Sequence, residues 1–229
     1  MRIANGFLLA VAMAACAGCA AAPPQSYPAG TAERLALYAE ATPCCDDPSG
    51  FSFGALPQRG FADAAIDRVA PVFDFHSGLS PFTAFELPKT DAPYRVRVKS
   101  LFDARDGGEA GVFYPVVALL DDTFIVTHMT GLDSLRLEPA LATVGGEAGL
   151  AVTVAIDPKS QRGRYLVVFT PAILLGAPPD MRREGDFLTP ASLAWMERRG
   201  ATALPASPYG RLRITVAPDT AVAGAARQE

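Results

Sequence analysis

The chain of 229 residues is half apolar and only 19 % charged, with a formal net charge of −4 at neutral pH. That balance excludes a disordered, charge-rich polymer and leaves enough apolar surface for one large domain or two small ones. A mildly acidic chain without a basic stripe is also a poor partner for phosphate backbones, so no nucleic acid is expected to bind it.

The N-terminus carries the clearest signal. Arg2 precedes an apolar run over residues 7–13, which ends in small residues and cysteine. A membrane span needs about 20 apolar residues, so residues 1–15 read as an export signal of the lipoprotein type. In such a signal the cysteine thiol is acylated and becomes the new N-terminus. Cys16 follows Met13-Ala14-Ala15, while Cys19 follows Cys16-Ala17-Gly18, and both stand as lipidation candidates. No aspartate follows either cysteine. The expected location is therefore the periplasmic space, with a lipid anchor to the outer membrane as the membrane contact.

Residues 16–30 are small and proline-rich, as in a flexible tether. Residues 31–60 are read as an N-terminal helix and loop. Thr31 can cap the helix, Pro43 stops it, and the stretch from Asp46 to Gly60 is turn-rich. The adjacent pair Cys44-Cys45 lacks the spacing of a redox or zinc motif. Its expected role is structural, as a vicinal bridge or as packed thiols.

From residue 72 the period changes to two. Residues 72–75, 82–87 and 94–98 alternate or nearly so, each bounded by Pro, Gly, Ser or Asp. That is the pattern of half-buried strands. Residues 112–120 are almost continuously apolar, which predicts a strand buried on both faces. Asp121-Asp122 breaks this run and residues 123–127 resume it, giving a hairpin. Further strands are predicted at 135–137, 150–156, 165–170 and 212–216. The fold class is mainly β: a jelly-roll-like antiparallel β-sandwich of about eight strands over residues 61–217, with one or two short peripheral helices. One helix is predicted from Thr189 or Pro190 to Gly200, and residues 218–229 read as a disordered tail.

No motif builds a reaction centre. The segment Gly78-Leu79-Ser80-Pro81-Phe82 lacks the second glycine of a nucleophile elbow, and Pro81 removes a backbone donor where strand pairing resumes. The two histidines, His76 and His128, are too few for a hydrolytic zinc site. Asp46-Asp47 and Asp121-Asp122 fit turn chemistry, because neighbours on a strand point to opposite faces and cannot clamp one substrate. The glycines from Gly145 to Gly149 precede a strand rather than a helix, so they form a loop and not a phosphate cradle. Trp195, the one tryptophan, lies with Leu193 and Met196 on a helix that needs something to bury. Its indole anchors the helix or, exposed, offers a flat surface to a sugar ring. No enzyme activity, cofactor or metal is expected.

The run PVFDFHSGLSPFTAFELPKTDAPYRVRVKSLF, followed by VFYPVVALLDDTF, then RYLVVFTP, TPASLAWMERRG and the closing strand at 211–216, resembles the maltose operon periplasmic protein (MalM) family. The resemblance extends over residues 73–216. It rests on segment order and texture, most distinctively on S-x-F-x-A-F-E-L-P, and carries no catalytic residue with it. It implies a β-rich periplasmic accessory protein associated with maltose or maltodextrin uptake, with a maltodextrin or a transport component as partner. The lipoprotein-like signal departs from the family pattern. The rival expectation is an envelope lipoprotein that docks a membrane protein or the cell wall. The oligomeric state is not written in the residues.

Overall fold

A computed structural model describes residues 41–75, 77–102, 112–138, 147–160, 163–172, 174 and 206–219. The signal, Cys16, Cys19, the tether, the helix predicted after Thr31, His76 and the helix predicted to bear Trp195 lie outside these residues. Eleven strands follow in chain order. They are β1 (Phe53–Ala55), β2 (Gly60–Ile66), β3 (Val72–Phe75), β4 (Gly78–Glu86), β5 (Tyr94–Leu101) and β6 (Val116–Leu120), then β7 (Val126–Met129), β8 (Arg136–Glu138), β9 (Gly149–Ile156), β10 (Tyr165–Phe169) and β11 (Gly210–Pro218). Two short 3-10 turns, Pro48–Gly50 and Leu132–Ser134, join them.

The strands form two sheets. The first has the order β1-β4-β10-β6-β7, with β3 sharing an edge of β4, and the second has the order β2-β11-β5-β9-β8. The mainly β sandwich expected from the two-residue period is the observed architecture. Among the described residues there are eleven strands: the nine predicted segments correspond to β3 through β11, and β1 and β2 were not foreseen.

Packing follows from side-chain parity. From the first sheet Phe85, Val117, Leu119, Leu166 and Val168 point inward. They meet Val96, Val98, Leu150, Val152, Leu212 and Ile214 of the second sheet in the larger core. The opposite face of the first sheet is also covered. Phe82, Ala84, Val116, Ala118, Leu120, Val167 and Phe169 form a second apolar cluster under Phe51, with Cys45, Phe53, Phe73 and Phe75 packed against it. This two-sided burial explains the unbroken apolar run of β6, in which every residue is buried.

The cover is a strap of residues 44–56. Cys44 and Cys45 are joined by a vicinal disulfide, and the Cys44 N–H donates to the Val72 carbonyl at 2.8 Å. The Asp47 carboxylate accepts from the Ser49 N–H at 2.8 Å and caps the first 3-10 turn. The Phe51 ring then lands 4.2 Å from that of Phe82. β1 closes the strap by pairing in parallel with the end of β4. The strap is thus part of the sandwich rather than a loop preceding residue 61.

The outer face of the second sheet is polar, as the alternation Tyr94-Arg95-Val96-Arg97-Val98 requires. Glu138 on β8 accepts from Arg97 and sits 3.1 Å from the Lys99 ammonium. Burial pulls the Lys99 amine below its usual range, with the neighbouring Arg97 and Arg213 charges acting in the same direction. Two boundaries differ from the sequence reading. Regular pairing in the apolar run begins at Val116, just after Pro115, which has no N–H to give a ladder. The last strand continues through Pro218, and Asp219 beyond it is buried and paired with Arg95 at 2.9 Å. Residues 218 and 219 therefore belong to the sandwich and not to the tail.

Candidate functional site

At one end of the sandwich a cleft of about 660 Å3 opens among strand ends of the two sheets. Its walls are the ends of strands from both sheets. Leu87 follows β4, Tyr94 opens β5, Ile156 ends β9, and Arg164 leads into β10. Two backbone bonds fix this last segment. The Arg164 N–H donates to the Leu120 carbonyl at 2.7 Å, and the Leu87 N–H donates to the Arg164 carbonyl at 3.0 Å.

The charged groups of the cleft are Lys89, Asp91, Asp122 and Arg164. Two are cationic and two anionic, so they cancel. Arg164 is further committed to Glu86, with Nη2 3.1 Å from Oε2, and its guanidinium lies 5.6 Å from the centre of the Tyr165 ring. Tyr94 is only 5 % exposed and its hydroxyl donates to the Pro88 carbonyl at 3.3 Å. Burial pushes this phenol up to about 12, so it stays protonated at any ordinary pH.

Asp122 is presented by a tightly held turn. The Asp121 carboxylate accepts from the Thr123 N–H (2.9 Å), the Thr123 hydroxyl (2.7 Å) and the Ile125 N–H (3.0 Å). The turn forces Phe124 to φ +64°, a left-handed conformation that a residue with a β-carbon rarely adopts. In return the Phe124 ring stacks on Tyr165, with centroids 5.0 Å apart and planes 13° from parallel. Phe53 completes the group at 4.3 Å from Tyr165 and 5.9 Å from Phe124. One turn therefore presents Asp122 to the cleft, while its Phe124 ring joins Tyr165 and Phe53 in the cluster on the strap side of the first sheet. Chemically, the arrangement offers hydrogen-bond donors, acceptors and apolar ring surface.

The residues weighed from the sequence fall elsewhere. Ser80 is fully buried, and its hydroxyl donates to the Thr170 carbonyl at 2.5 Å, which ties β4 to the end of β10. His128 lies on the exposed strand β7, opposite Leu119. Asp47 and Asp121 do the turn chemistry expected of them. Gly149 opens β9 after the glycine loop, where a β-carbon would come within 2.1 Å of the Ser100 carbonyl oxygen. Among the described residues no group of three or more His, Cys, Asp or Glu gathers as metal ligands do. Of the candidate carboxylates only Asp122 reaches the cleft. Tyr94, Arg164 and Phe124 were not foreseen, although the Gly163-Arg164-Tyr165 entry to a strand is a local cue for a charged and an aromatic group at a strand end.

Residues 77–177 match the family model described as maltose operon periplasmic protein precursor (MalM). Over these residues the chain is similar to the MalM family. The match begins just before β4 and runs past β10, so the MalM segment contains most of the cleft, including the Asp121 turn, Tyr94 and Arg164. The resemblance read from the sequence holds over this span, while the predicted helix at 189–200 and the strand at 211–216 lie beyond it. By its description the MalM family is periplasmic and associated with a maltose operon. No curated protein and no solved structure matches the chain.

Proposed function

We propose that this protein is a lipid-tethered periplasmic accessory protein that assists the uptake of maltose or maltodextrins by binding rather than by catalysis. The observation that carries the reading is the MalM match over residues 77–177, the segment that builds most of the cleft at the end of the sandwich. The cleft volume lies within the roughly 300–1,000 Å3 usual for small-molecule sites. Tethering would be through Cys16 or Cys19, at the outer membrane. Calorimetric titration of the full chain with maltose and with longer maltodextrins tests the binding. Heats that saturate support it, and silence across millimolar ligand removes direct sugar binding. Mass spectrometry of the N-terminal peptide tests the tether, which predicts an acylated Cys16 or Cys19 and no peptide containing Arg2.

A second reading, docking of an envelope protein, is favoured by β7. All four of its residues are exposed at the edge of the first sheet, and Ile125, Val126 and Met129 are each at least half exposed. Such an edge can accept a strand from a partner. Crosslinking in cells followed by recovery of one dominant envelope partner, lost on changing Val126 to Lys, would support it.

A further inference from the structure

We propose that the vicinal bridge between Cys44 and Cys45 is a reversible thiol–disulfide exchange site, whose redox state sets how firmly the strap of residues 44–56 covers the aromatic face of the first sheet. This stands apart from the carbohydrate reading above. Bridging two neighbours closes no loop of chain, so the bond removes almost no conformational freedom from the unfolded protein and does not staple the fold. The peptide between the two residues also keeps their sulfurs adjacent after reduction, so the bridge re-forms without a search. Cys44 is exposed and Cys45 is part-buried. An exposed bridge is the labile kind, whereas bridges that hold a fold together resist the thiol pool.

The chemistry takes a thiol reductant as co-reactant. Its thiolate attacks the Cys44 Sγ, the S–S bond breaks, and the electron pair leaves on the Cys45 Sγ, which takes up a proton. A second reductant thiol attacks the mixed disulfide, frees Cys44 as a thiol and leaves the reductant oxidised to its own disulfide. An acceptor for the new Cys45 thiol is already in place. The Gly50 carbonyl oxygen lies 3.3 Å from the Cys45 Sγ, a contact that becomes a hydrogen bond once the sulfur carries a proton. The same contact carries the state of the bridge into the strap. Gly50 is packed so closely on Cys45 that a β-carbon there would come within 2.9 Å of the Cys45 Cβ. Phe51 follows directly, its ring 4.2 Å from that of Phe82 and 4.9 Å from that of Phe73. Opening the bridge frees the dihedrals between the two cysteines. That freedom reaches both the Phe51 ring and the bond from the Cys44 N–H to Val72 on β3.

Reduced glutathione tests this on the full chain under native conditions, followed by iodoacetamide and mass spectrometry. Trypsin releases residues 35–59, a peptide with no cysteine besides Cys44 and Cys45. The expected result is alkylation of both, abolished when oxidised glutathione is added before the iodoacetamide. Amide hydrogen exchange in residues 44–56 should then be about ten-fold faster or more in the reduced protein, with β5, β9 and β11 unchanged. Cys44→Ser together with Cys45→Ser should show the fast strap with or without glutathione. If that variant does not fold, the reduced and oxidised parent decide the matter between them. A bridge that survives glutathione and opens only with dithiothreitol in urea is a structural staple, and the proposal is overturned. Loss of protection in every strand on reduction, or an unchanged strap, overturns it equally.

Discussion

Arg213 grips Asp63 with both Nε and Nη2, at 2.7 and 3.1 Å, across the register that pairs β11 with the edge strand β2. The same guanidinium lies 4.8 Å from the centre of the Phe61 ring, one pair of residues along β2. Arg213 is thus the clasp of an edge strand whose own residues favour pairing only weakly.

The clasp has a pH signature. Hydrogen bonding from Arg213 holds the Asp63 carboxyl below its usual 3.8. A depressed carboxyl contributes stability that is present above the unfolded-state value and is lost as pH falls through the folded-state value. Because the Asp63 side chain is half exposed, the contribution is about 0.5–1 kcal/mol. Asp63→Asn should lower the melting temperature by a few degrees at neutral pH, with the difference shrinking in scanning calorimetry as the pH falls below the ordinary carboxyl range.

Ser100 offers the opposite case. Its Oγ is buried in the core without a hydrogen-bond partner among the described residues. Replacing a desolvated hydroxyl by a methyl removes an uncompensated cost. Ser100→Ala should raise stability by about 1 kcal/mol in denaturant unfolding. A loss of stability would mean that the hydroxyl has a partner.

Two glycines should respond differently to a methyl group. At Gly149 a β-carbon would press within 2.1 Å of the Ser100 carbonyl oxygen and prise β9 from β5, at a cost of about 2–3 kcal/mol. At Gly60 no atom lies within 4 Å of the added carbon, and only the backbone at φ +100° objects, which costs about 1–2 kcal/mol. Urea midpoints for Gly149→Ala and Gly60→Ala should rank in that order.

Tyr94 sets the alkaline limit. A phenol whose folded-state value is raised to about 12 contributes stability that is full below about pH 10 and is lost as pH rises toward 12. Tyr94→Phe forgoes one long hydrogen bond to Pro88. It should move the alkaline unfolding transition, followed by far-UV circular dichroism, to higher pH.

The legible parts of the fold were those where side-chain size reports side-chain direction. In β5 the order Tyr94-Arg95-Val96-Arg97-Val98 names its inner and outer faces outright. In β2 the signal is reversed. Ala62 and Ala64 face the core while Phe61, 60 % exposed, lies outside beneath Arg213, so a period-two scan finds no buried face. β7 begins later than the apolar pattern suggests, because the Asp121 carboxylate draws Thr123 and Ile125 into the turn. The cleft was beyond reach for a different reason. Glu86 and Arg164 are 78 residues apart, and only the antiparallel register of β4 with β10 brings them together. A charged residue at a strand end does not say which other strand end it will face.

The segment that matches the MalM family is not a self-sufficient folding unit. Excised at residues 77 and 177, it would lack β11, which sits between β2 and β5 in the second sheet, and would be stripped of the strap that shields Phe82 and Phe169. Such a fragment would bare aromatic surface on one flank and an unmated strand on the other, and would clump rather than fold. Evolutionary change that keeps this segment must therefore keep a matching lid upstream of it and a matching strand downstream.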